Sequence, residues 1–474
     1  MKRILILLFL ILGITYTSCL TVNALNTSFY EGEYIEGIWM NKYNPSNKTI
    51  YYQKARFFRQ RGTNEFAYCI EPFSFFNGNS QYESTINPYN LTESQKQRIT
   101  AIAHFGYNYT NHSDPKWYAI TQFMIWQTSD PSGDYYFTDS LNGNRINPFQ
   151  NEINEINNLI NNYNTHPSFE NNTFYQVKNN KLEIVDTNNV LNYYTINDSN
   201  IIKENNKLIS NYQKEGEYTV SLTRQDKYYN KPIIFFQSSQ SQNLVETGDI
   251  NDINSSFKII IQKTNLTINK HDKDNDSIIP SGDASLDGAK YNLYNDKDEL
   301  IQELTIVNNQ ASIDNLGYGK YYLKEIKAGE GYQIDEEIHS FEITKDNPNI
   351  NLILYNQVIK SNLIINKKYG DEDNLNNEEN ISFNIYDSNN NLVDTITTDT
   401  NGNASILLPF GKYTLEQINT KDGYEKNEKL DFIIDSNEDK EIFLKDLKIK
   451  VPNTYIDKPN IFQIILILFS ILCL

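Results

Sequence analysis

The heptapeptide AYCIEPF, residues 67–73, contains a cysteine without an evident partner. The chain has three cysteines, and the other two, Cys19 and Cys473, lie near its two ends. Cys69 is therefore expected to be the one thiol of the exported body, where it cannot form an internal disulfide. A lone exported thiol is open to oxidation unless it is buried or already bonded to another group.

Two further roles for Cys69 need no bonded partner. It could be an inert buried thiol, or the nucleophile of a cysteine peptidase or transglutaminase, which requires a nearby base. None of the five histidines stands in a frame typical of a catalytic dyad. No metal-ligand spacing and no phosphate-binding glycine loop stand out, so neither a metal nor a cofactor is expected.

Gln122 lies in PKWYAITQFMIWQ, residues 115–127, a stretch that predicts a helix from Pro115 to Thr128. Its apolar stripe comprises Trp117, Ile120, Thr121, Met124 and Ile125. Gln122 falls at the edge of that stripe. On spacing alone it is a polar residue at the edge of a buried helix.

A third set of reactive side chains lies in a repeated region further along the chain. LTINK (266–270) matches LIINK (363–367), and GKYYLKE (319–325) matches GKYTLEQ (411–417). In the first copy, Glu325 shares a strand face with two apolar residues, and Lys270 alternates with two others, so both should point inward. They could form a buried ion pair, or Lys270 could form an amide with Asn356, with Glu325 transferring protons as ammonia leaves.

The second copy keeps the nucleophile and changes the acid. Lys367 matches Lys270 and Asp446 matches Asn356, but Gln417 stands where Glu325 would be. Glu416 is one residue away and should face the opposite side of the strand. An amide cannot act as an acid, so a bond between Lys367 and Asp446 in this copy is doubtful on sequence alone.

The chain has 474 residues, which is long enough for several domains. Its net charge of −18 argues against nucleic acid and anionic membrane surfaces as partners. Residues 25–247 read as an α+β domain with helices near 92–105, 115–128 and 149–163, and the polar stretch 238–249 looks like its exit. Residues 256–358 and 361–449 lack helical periodicity and read as tandem all-β, immunoglobulin-like sandwiches.

Both termini carry targeting patterns. Residues 1–24 have two basic residues, an apolar run and a small-residue end, which is typical of a secretory signal peptide. The tail, 450–474, contains VPNTY before an apolar run of about 14 residues, short of the roughly 20 needed to span a bilayer.

The repeated frame LTINKHD…GYGKYYLKEIKAGEGY…LILYN resembles the collagen-adhesin B-type domains of Gram-positive surface proteins and pili. In that family the lysine and asparagine matching Lys270 and Asn356 form an isopeptide bond, and the glutamate matching Glu325 catalyses it. An aspartate, as at Asp446, is an accepted partner there. VPNTY resembles a sorting signal in which Pro452 and Thr454 are retained, while Val451 and Tyr455 replace the usual leucine and glycine.

The combination of YCIEPF with a downstream TQFMIW resembles the thioester domains of Gram-positive adhesins. The resemblance implies a thioester between Cys69 and Gln122, shielded by aromatic residues such as Tyr68, Phe73, Trp117 and Trp126. A lysine on a host or surface protein would attack it in a single-use capture without turnover. The tail would join the chain to the cell wall or membrane. A pilus subunit and a purely structural stalk are the competing interpretations.

Overall fold

The computed structural model describes residues 26–371 and 374–450, and these residues fold as two compact units. The first runs to Ile260, apart from the short segments Val177–Asn180 and Gln213–Glu215, which group with the second. The predicted signal peptide lies outside the described residues, as do Cys19, Pro452, Thr454 and Cys473.

The first unit is mixed α and β. Its helices are α1 (Glu93–Phe105), α2 (Pro115–Ser129) and α3 (Gln150–Tyr163), and two short 3-10 helices span Pro88–Asn90 and Leu191–Tyr193. Its strands are β1 (Phe29–Asn44), β2 (Thr49–Gln60), β3 (Phe66–Cys69), β4 (Glu83–Thr85), β5 (Asp134–Thr138), β6 (Thr173–Val177), β7 (Leu182–Val185), β8 (Tyr194–Ile196), β9 (Ile201–Glu204), β10 (Lys207–Ser210), β11 (Gly216–Arg224), β12 (Phe235–Ser238), β13 (Ser241–Glu246) and β14 (Ile253–Gln262).

The central sheet of this unit has seven strands in the order β4-β12-β13-β3-β2-β1-β5. Two smaller sheets have the orders β7-β10-β9 and β6-β14-β11-β8. The prediction that residues 238–249 form the exit of the domain was wrong, because β13 lies within the central sheet and pairs with β3. Although β13 contains several polar residues, Gln242, Leu244 and Glu246 on one of its faces are all buried.

The three predicted helices are confirmed, and local chemistry explains their starts. Thr92 and Gln95 form the predicted capping box of α1, each side chain accepting a hydrogen bond from the other residue's main-chain N–H. At α2 the Asp114 carboxylate accepts a hydrogen bond from the Lys116 N–H, and Pro115 occupies the first helical turn.

The second unit consists of two all-β sandwiches in tandem, as predicted. The strands of the first are β15 (Asn265–Asp272), β16 (Lys290–Asn295), β17 (Leu300–Thr305), β18 (Gln310–Asp314), β19 (Gly319–Lys327), β20 (Ile338–Ile343) and β21 (Asn349–Asn356). Those of the second are β22 (Lys360–Asp371), β23 (Asn374–Asn377), β24 (Ser382–Tyr386), β25 (Leu392–Thr397), β26 (Asn403–Pro409), β27 (Gly411–Gln417), β28 (Tyr424–Glu425), β29 (Leu430–Ile434) and β30 (Lys440–Lys448).

The two sandwiches share one topology. In each, the first and last strands are parallel neighbours, β15 with β21 and β22 with β30. They face a four-stranded sheet, β17-β16-β19-β20 in the first sandwich and β25-β24-β27-β29 in the second. Within the described residues, no helix is both long and apolar enough to cross a membrane.

Tyr118 of α2 ties the helix to the strands that carry Cys69. Its buried hydroxyl accepts a hydrogen bond from the Phe58 N–H at 2.9 Å and donates one to the Ala67 carbonyl at 2.5 Å. Tyr118→Phe leaves both main-chain groups without that partner, which costs about 1–3 kcal/mol. We expect the free energy of opening at the Phe58 amide, measured by hydrogen exchange, to fall by that amount. Tyr51→Phe, which removes an exposed hydroxyl, should leave it unchanged, and equal protection in both variants contradicts this role.

Candidate functional site

Cys69 is the last residue of β3 and lies in the core of the first unit with 1 % of its surface exposed. Strand β3 sits between β2 and β13 in the central sheet. The Cys69 sulfur lies 2.9 Å from the Glu71 carbonyl oxygen and 2.7 Å from Gln242 Oε1, so its single proton has two acceptors within reach. The predicted lone thiol is therefore buried and faces an amide side chain.

Gln122 lies beside Cys69 but contacts its main chain. The Cys69 N–H donates to Gln122 Oε1 at 2.8 Å, and Gln122 Nε2 donates to the Cys69 carbonyl at 2.7 Å. Helix α2 is buried on nearly every side, so Gln122 is a core residue with 1 % exposure and not the edge residue that its spacing predicts. Its amide fixes the position of β3 against α2.

Gln242 reaches the sulfur because of the strand register. Leu244 of β13 pairs directly with Cys69, so their side chains project from the same face of the sheet. Gln242 is two residues before Leu244 and is therefore the diagonal neighbour of Cys69 on that face. It is 4 % exposed.

Sequence reasoning missed Gln242. The available signal was the alternation in SQNLVE, which places Gln242 on the core-facing side of a strand. Burial of a polar side chain is unfavourable unless the side chain has a partner, so Gln242 was a candidate for a functional contact. The pairing of Cys69 with Gln122 stays a prediction that these contacts do not favour, because the sulfur hydrogen-bonds Gln242 and the Gln122 amide is paired with main chain.

The aromatic residues predicted to shield the site pack in pairs along helix α2. Phe73 packs on Trp126 with ring centroids 4.9 Å apart, and Tyr68 stacks on Tyr118 at 4.7 Å. Trp117, also predicted as a shield, stacks instead on His112 at 3.6 Å. Burial raises the pKa of the Cys69 thiol well above its ordinary value, and the nearby Trp126 side chain only partly opposes that effect.

The three predicted residues of the first sandwich come together. Asn356 lies opposite Asp272 in the parallel pair, so Lys270 is its diagonal neighbour. Glu325, on β19 of the facing sheet, contacts both residues. Its Oε1 lies 3.3 Å from Lys270 Nζ, and its Oε2 accepts a 2.7 Å hydrogen bond from Asn356 Nδ2. The side chains of Lys270 and Glu325 are fully buried.

Electrostatics of this cluster favour a neutral amine. Burial lowers the pKa of Lys270, and the opposing attraction of Glu325 is smaller. Lys270 also donates a short hydrogen bond to the hydroxyl of Tyr291, and burial raises the pKa of that phenol. Asn356 Oδ1 is buried without a hydrogen-bond partner, so its carbonyl is not competed for by another donor. An amine with a lowered pKa next to an amide and a carboxyl group is an arrangement suited to acyl transfer.

In the second sandwich Lys367 and Asp446 form a buried ion pair. They hold the same diagonal relation as Lys270 and Asn356, because Asp446 pairs with Tyr369. Gln417 faces them, and its Nε2 donates to Asp446 Oδ2 at 2.6 Å. Glu416 faces away as predicted and lies 3.2 Å from Lys429.

Comparison with known families agrees with this division. Residues 66–166 match the thioester domain family, and residues 264–358 and 362–448 match the SpaA prealbumin-like fold domain. The chain therefore combines a region that matches the thioester domain family with two regions that match the prealbumin-like fold. The thioester-domain match includes Cys69 and Gln122 and ends before Gln242.

Solved structures similar to this chain include TIE proteins and pilins. The Bacillus anthracis TIE protein is 20% identical over 89% of this chain and 83% of its own, with a TM-score of 0.36. The thioester domain of the Staphylococcus aureus TIE protein is 19% identical over 50% and 99%, with a TM-score of 0.38. The minor pilin GBS52 of Streptococcus agalactiae is 20% identical over 40% and 98%, with a TM-score of 0.21. No curated protein sequence matches the chain.

The raised pKa of Cys69 makes its thiol slow to react. In a Gln242→Ala variant, we expect alkylation by iodoacetamide to be slower in the folded protein than after unfolding, because only the thiolate is nucleophilic and the site is closed. The rate should keep rising with pH through the region near 8.5, where an ordinary cysteine titrates. A plateau just above that region would contradict the raised pKa.

Proposed function

We propose that this protein is a bacterial surface adhesin that captures an amine, such as a lysine of a host protein, through a thioester between Cys69 and Gln242. The observation that carries the proposal is the 2.7 Å contact between the Cys69 thiol and the Gln242 side chain in a chain that matches the thioester domain family. Gln122 then acts as a positioning residue that holds the Cys69 main chain.

Formation of the thioester needs no external reactant. The Cys69 sulfur attacks Gln242 Cδ, the Cδ–N bond breaks, and the thiol proton leaves with the nitrogen as ammonia. The strand pairing holds the two groups together before reaction, which replaces a bimolecular encounter by an intramolecular step. The enclosing aromatic residues keep water from hydrolysing the activated acyl group.

Capture uses the acyl group once. The amine nitrogen of the target attacks Gln242 Cδ, the C–S bond breaks, and Cys69 receives the proton and becomes a thiol again. The product is an amide that joins Gln242 to the target. The reaction is therefore a stoichiometric capture and not a catalytic cycle.

Both reacting side chains are almost fully buried, so the target amine needs an opening in the shield. The segment after β3 contains Phe73, which adopts a left-handed backbone conformation (φ 59°), a costly one for a residue that is not glycine. This segment covers Trp126 through the Phe73 ring. We assign the opening of the site to this segment.

The prealbumin-like repeats form the stalk in this proposal. In the first repeat the neutral Lys270 amine attacks Asn356 Cγ, ammonia leaves, and Glu325 transfers the protons. A covalent link between the first and last strands closes a long loop, which by analogy with disulfides stabilises the repeat by about 4–5 kcal/mol. The predicted signal peptide and sorting tail would place the protein on the cell surface. A pilus subunit or plain stalk would give the Cys69–Gln242 pair no role.

The bond itself and its partner can be read by mass spectrometry. We expect the untreated protein to lack one ammonia for the thioester, and methylamine to add one molecule of its own mass by opening that bond and forming a methylamide. Peptide mapping should place the methyl group on Gln242. Cys69→Ala should take up no methylamine, because no acyl group forms.

The position of the methylamine label distinguishes Gln242 from Gln122 as the partner of Cys69. Label on Gln122 would restore the pairing predicted from sequence, and label on neither would defeat the proposal. Gln122→Ala serves as the matched variant, since it should weaken the packing of β3 on α2 while any residual label stays on Gln242.

The bond in the first repeat is tested separately. A proteolytic digest should contain one peptide in which Lys270 and Asn356 are joined with loss of ammonia. Glu325→Gln should reduce that peptide strongly, because loss of a general acid slows proton transfer by about 100-fold or more. Full yield in this variant would mean that Glu325 has no part in the reaction.

A further inference from the structure

The second repeat contains a buried glutamate that the strand pattern does not predict. Glu378 follows β23 and is 3 % exposed. Its N–H donates to the Lys367 carbonyl at 3.1 Å, and its own carbonyl accepts a hydrogen bond from Thr398 Oγ1 at 2.7 Å. The first of these bonds continues the ladder between β22 and β23, so the hairpin holds Glu378 beside the lysine.

The Glu378 carboxyl group is close to the Lys367 nucleophile and deeply buried. Oε2 lies 3.6 Å from Lys367 Nζ, and neither carboxyl oxygen has a hydrogen-bond partner. Burial, and then the charge of Asp446, raise the pKa of Glu378 despite the opposing effects of Lys367 and of the Lys421 main chain. A buried carboxylate without hydrogen bonds is costly, which favours the protonated, neutral acid.

Asp446 is prepared as the acceptor of an attack. Besides the Lys367 ammonium, it accepts hydrogen bonds of 2.6 Å from Gln417 Nε2, Thr420 Oγ1 and Asn427 Nδ2. Side-chain amide and hydroxyl donors of this kind stabilise negative charge that develops on oxygen in acyl transfer. Gln417 therefore polarises the electrophile, although it cannot supply a proton as Glu325 does in the first repeat.

The strand register shows that the second repeat lacks the acid of the first at the equivalent position and has a different buried acid nearby. Tyr291 lies opposite Glu325 in the first repeat, and Phe383 lies opposite Gln417 at the corresponding place in the second. Lys367 therefore lacks the hydroxyl that Lys270 contacts through Tyr291. Glu378 supplies the carboxyl group from the other side, out of the β22–β23 hairpin.

We propose that Glu378 is the proton-transfer residue for an amide bond between Lys367 and Asp446. The bond goes beyond the amine capture assigned to the first unit and does not depend on it. A proton first passes from the Lys367 ammonium to the Asp446 carboxylate. The neutral Nζ then attacks Asp446 Cγ, and one Cγ–O bond of the neutral acid breaks. Glu378 gives a proton to the departing oxygen, takes one from the nitrogen, and ends protonated as it began. The products are the amide and one water.

The test is peptide mapping of the full exported protein by mass spectrometry. We expect a peptide that joins Lys367 to Asp446 and lacks one water. In Glu378→Gln the joined fraction should fall from nearly all of the protein to a small minority, because loss of a general acid slows such a step by about 100-fold or more. Glu416→Gln makes the same charge change on the exposed face and should keep the bond.

A rescue separates the chemical role from a packing role. In Glu378→Gln, adding Gln417→Glu places an acid where the first repeat has one, and it should restore the joined peptide. The proposal is overturned if the wild-type protein shows no loss of water at this site, or if Glu378→Gln forms the bond as completely as wild type. If hydrogen exchange shows that Glu378→Gln is unfolded, Glu378→Asp and Glu378→Asn are compared instead. Joining in the Asp variant alone supports the proposal, and equal joining in both overturns it.

Discussion

The pairing of β3 with β13 is the constraint on which the proposed capture site depends. It joins residues 173 positions apart and sets Gln242 diagonally across from Cys69 on one face of the sheet. Helix α2 enforces this register from the other side, since Gln122 is hydrogen-bonded to both main-chain groups of Cys69. The thiol and the amide are thus held in contact by backbone geometry and not by their own attraction.

The same geometric device recurs in the two repeats. Lys270 with Asn356, and Lys367 with Asp446, are also diagonal neighbours on paired strands, here parallel ones. In each repeat a buried carboxyl group is added from outside the pair, Glu325 from the facing sheet and Glu378 from a hairpin. A diagonal pair brings a nucleophile next to an acyl group, and burial changes the protonation of the groups around it.

Local patterns were sufficient to predict the helices, the division into a mixed unit and two sandwiches, and the inward direction of Lys270 and Glu325. Period-two alternation also separated Glu416 from Gln417 correctly. The pairing of strands far apart in the chain could not be predicted from local patterns. The polar residues around Gln242 suggested the end of the domain, whereas in the structure they belong to β13, which pairs with β12 and β3. Glu378 was not predicted because the match between the repeats places the acid at the position of Gln417, whereas the pairing of β22 with β23 brings in a carboxyl group from another position.

The most direct test of the central claim is a crystal structure of the untreated protein at a resolution that distinguishes bonded from non-bonded atoms. We predict continuous density between Cys69 Sγ and the side-chain carbonyl carbon of residue 242, with Gln122 still an intact amide hydrogen-bonded to the Cys69 main chain. A bond from Cys69 to residue 122, or a free thiol facing two intact glutamines, would contradict it.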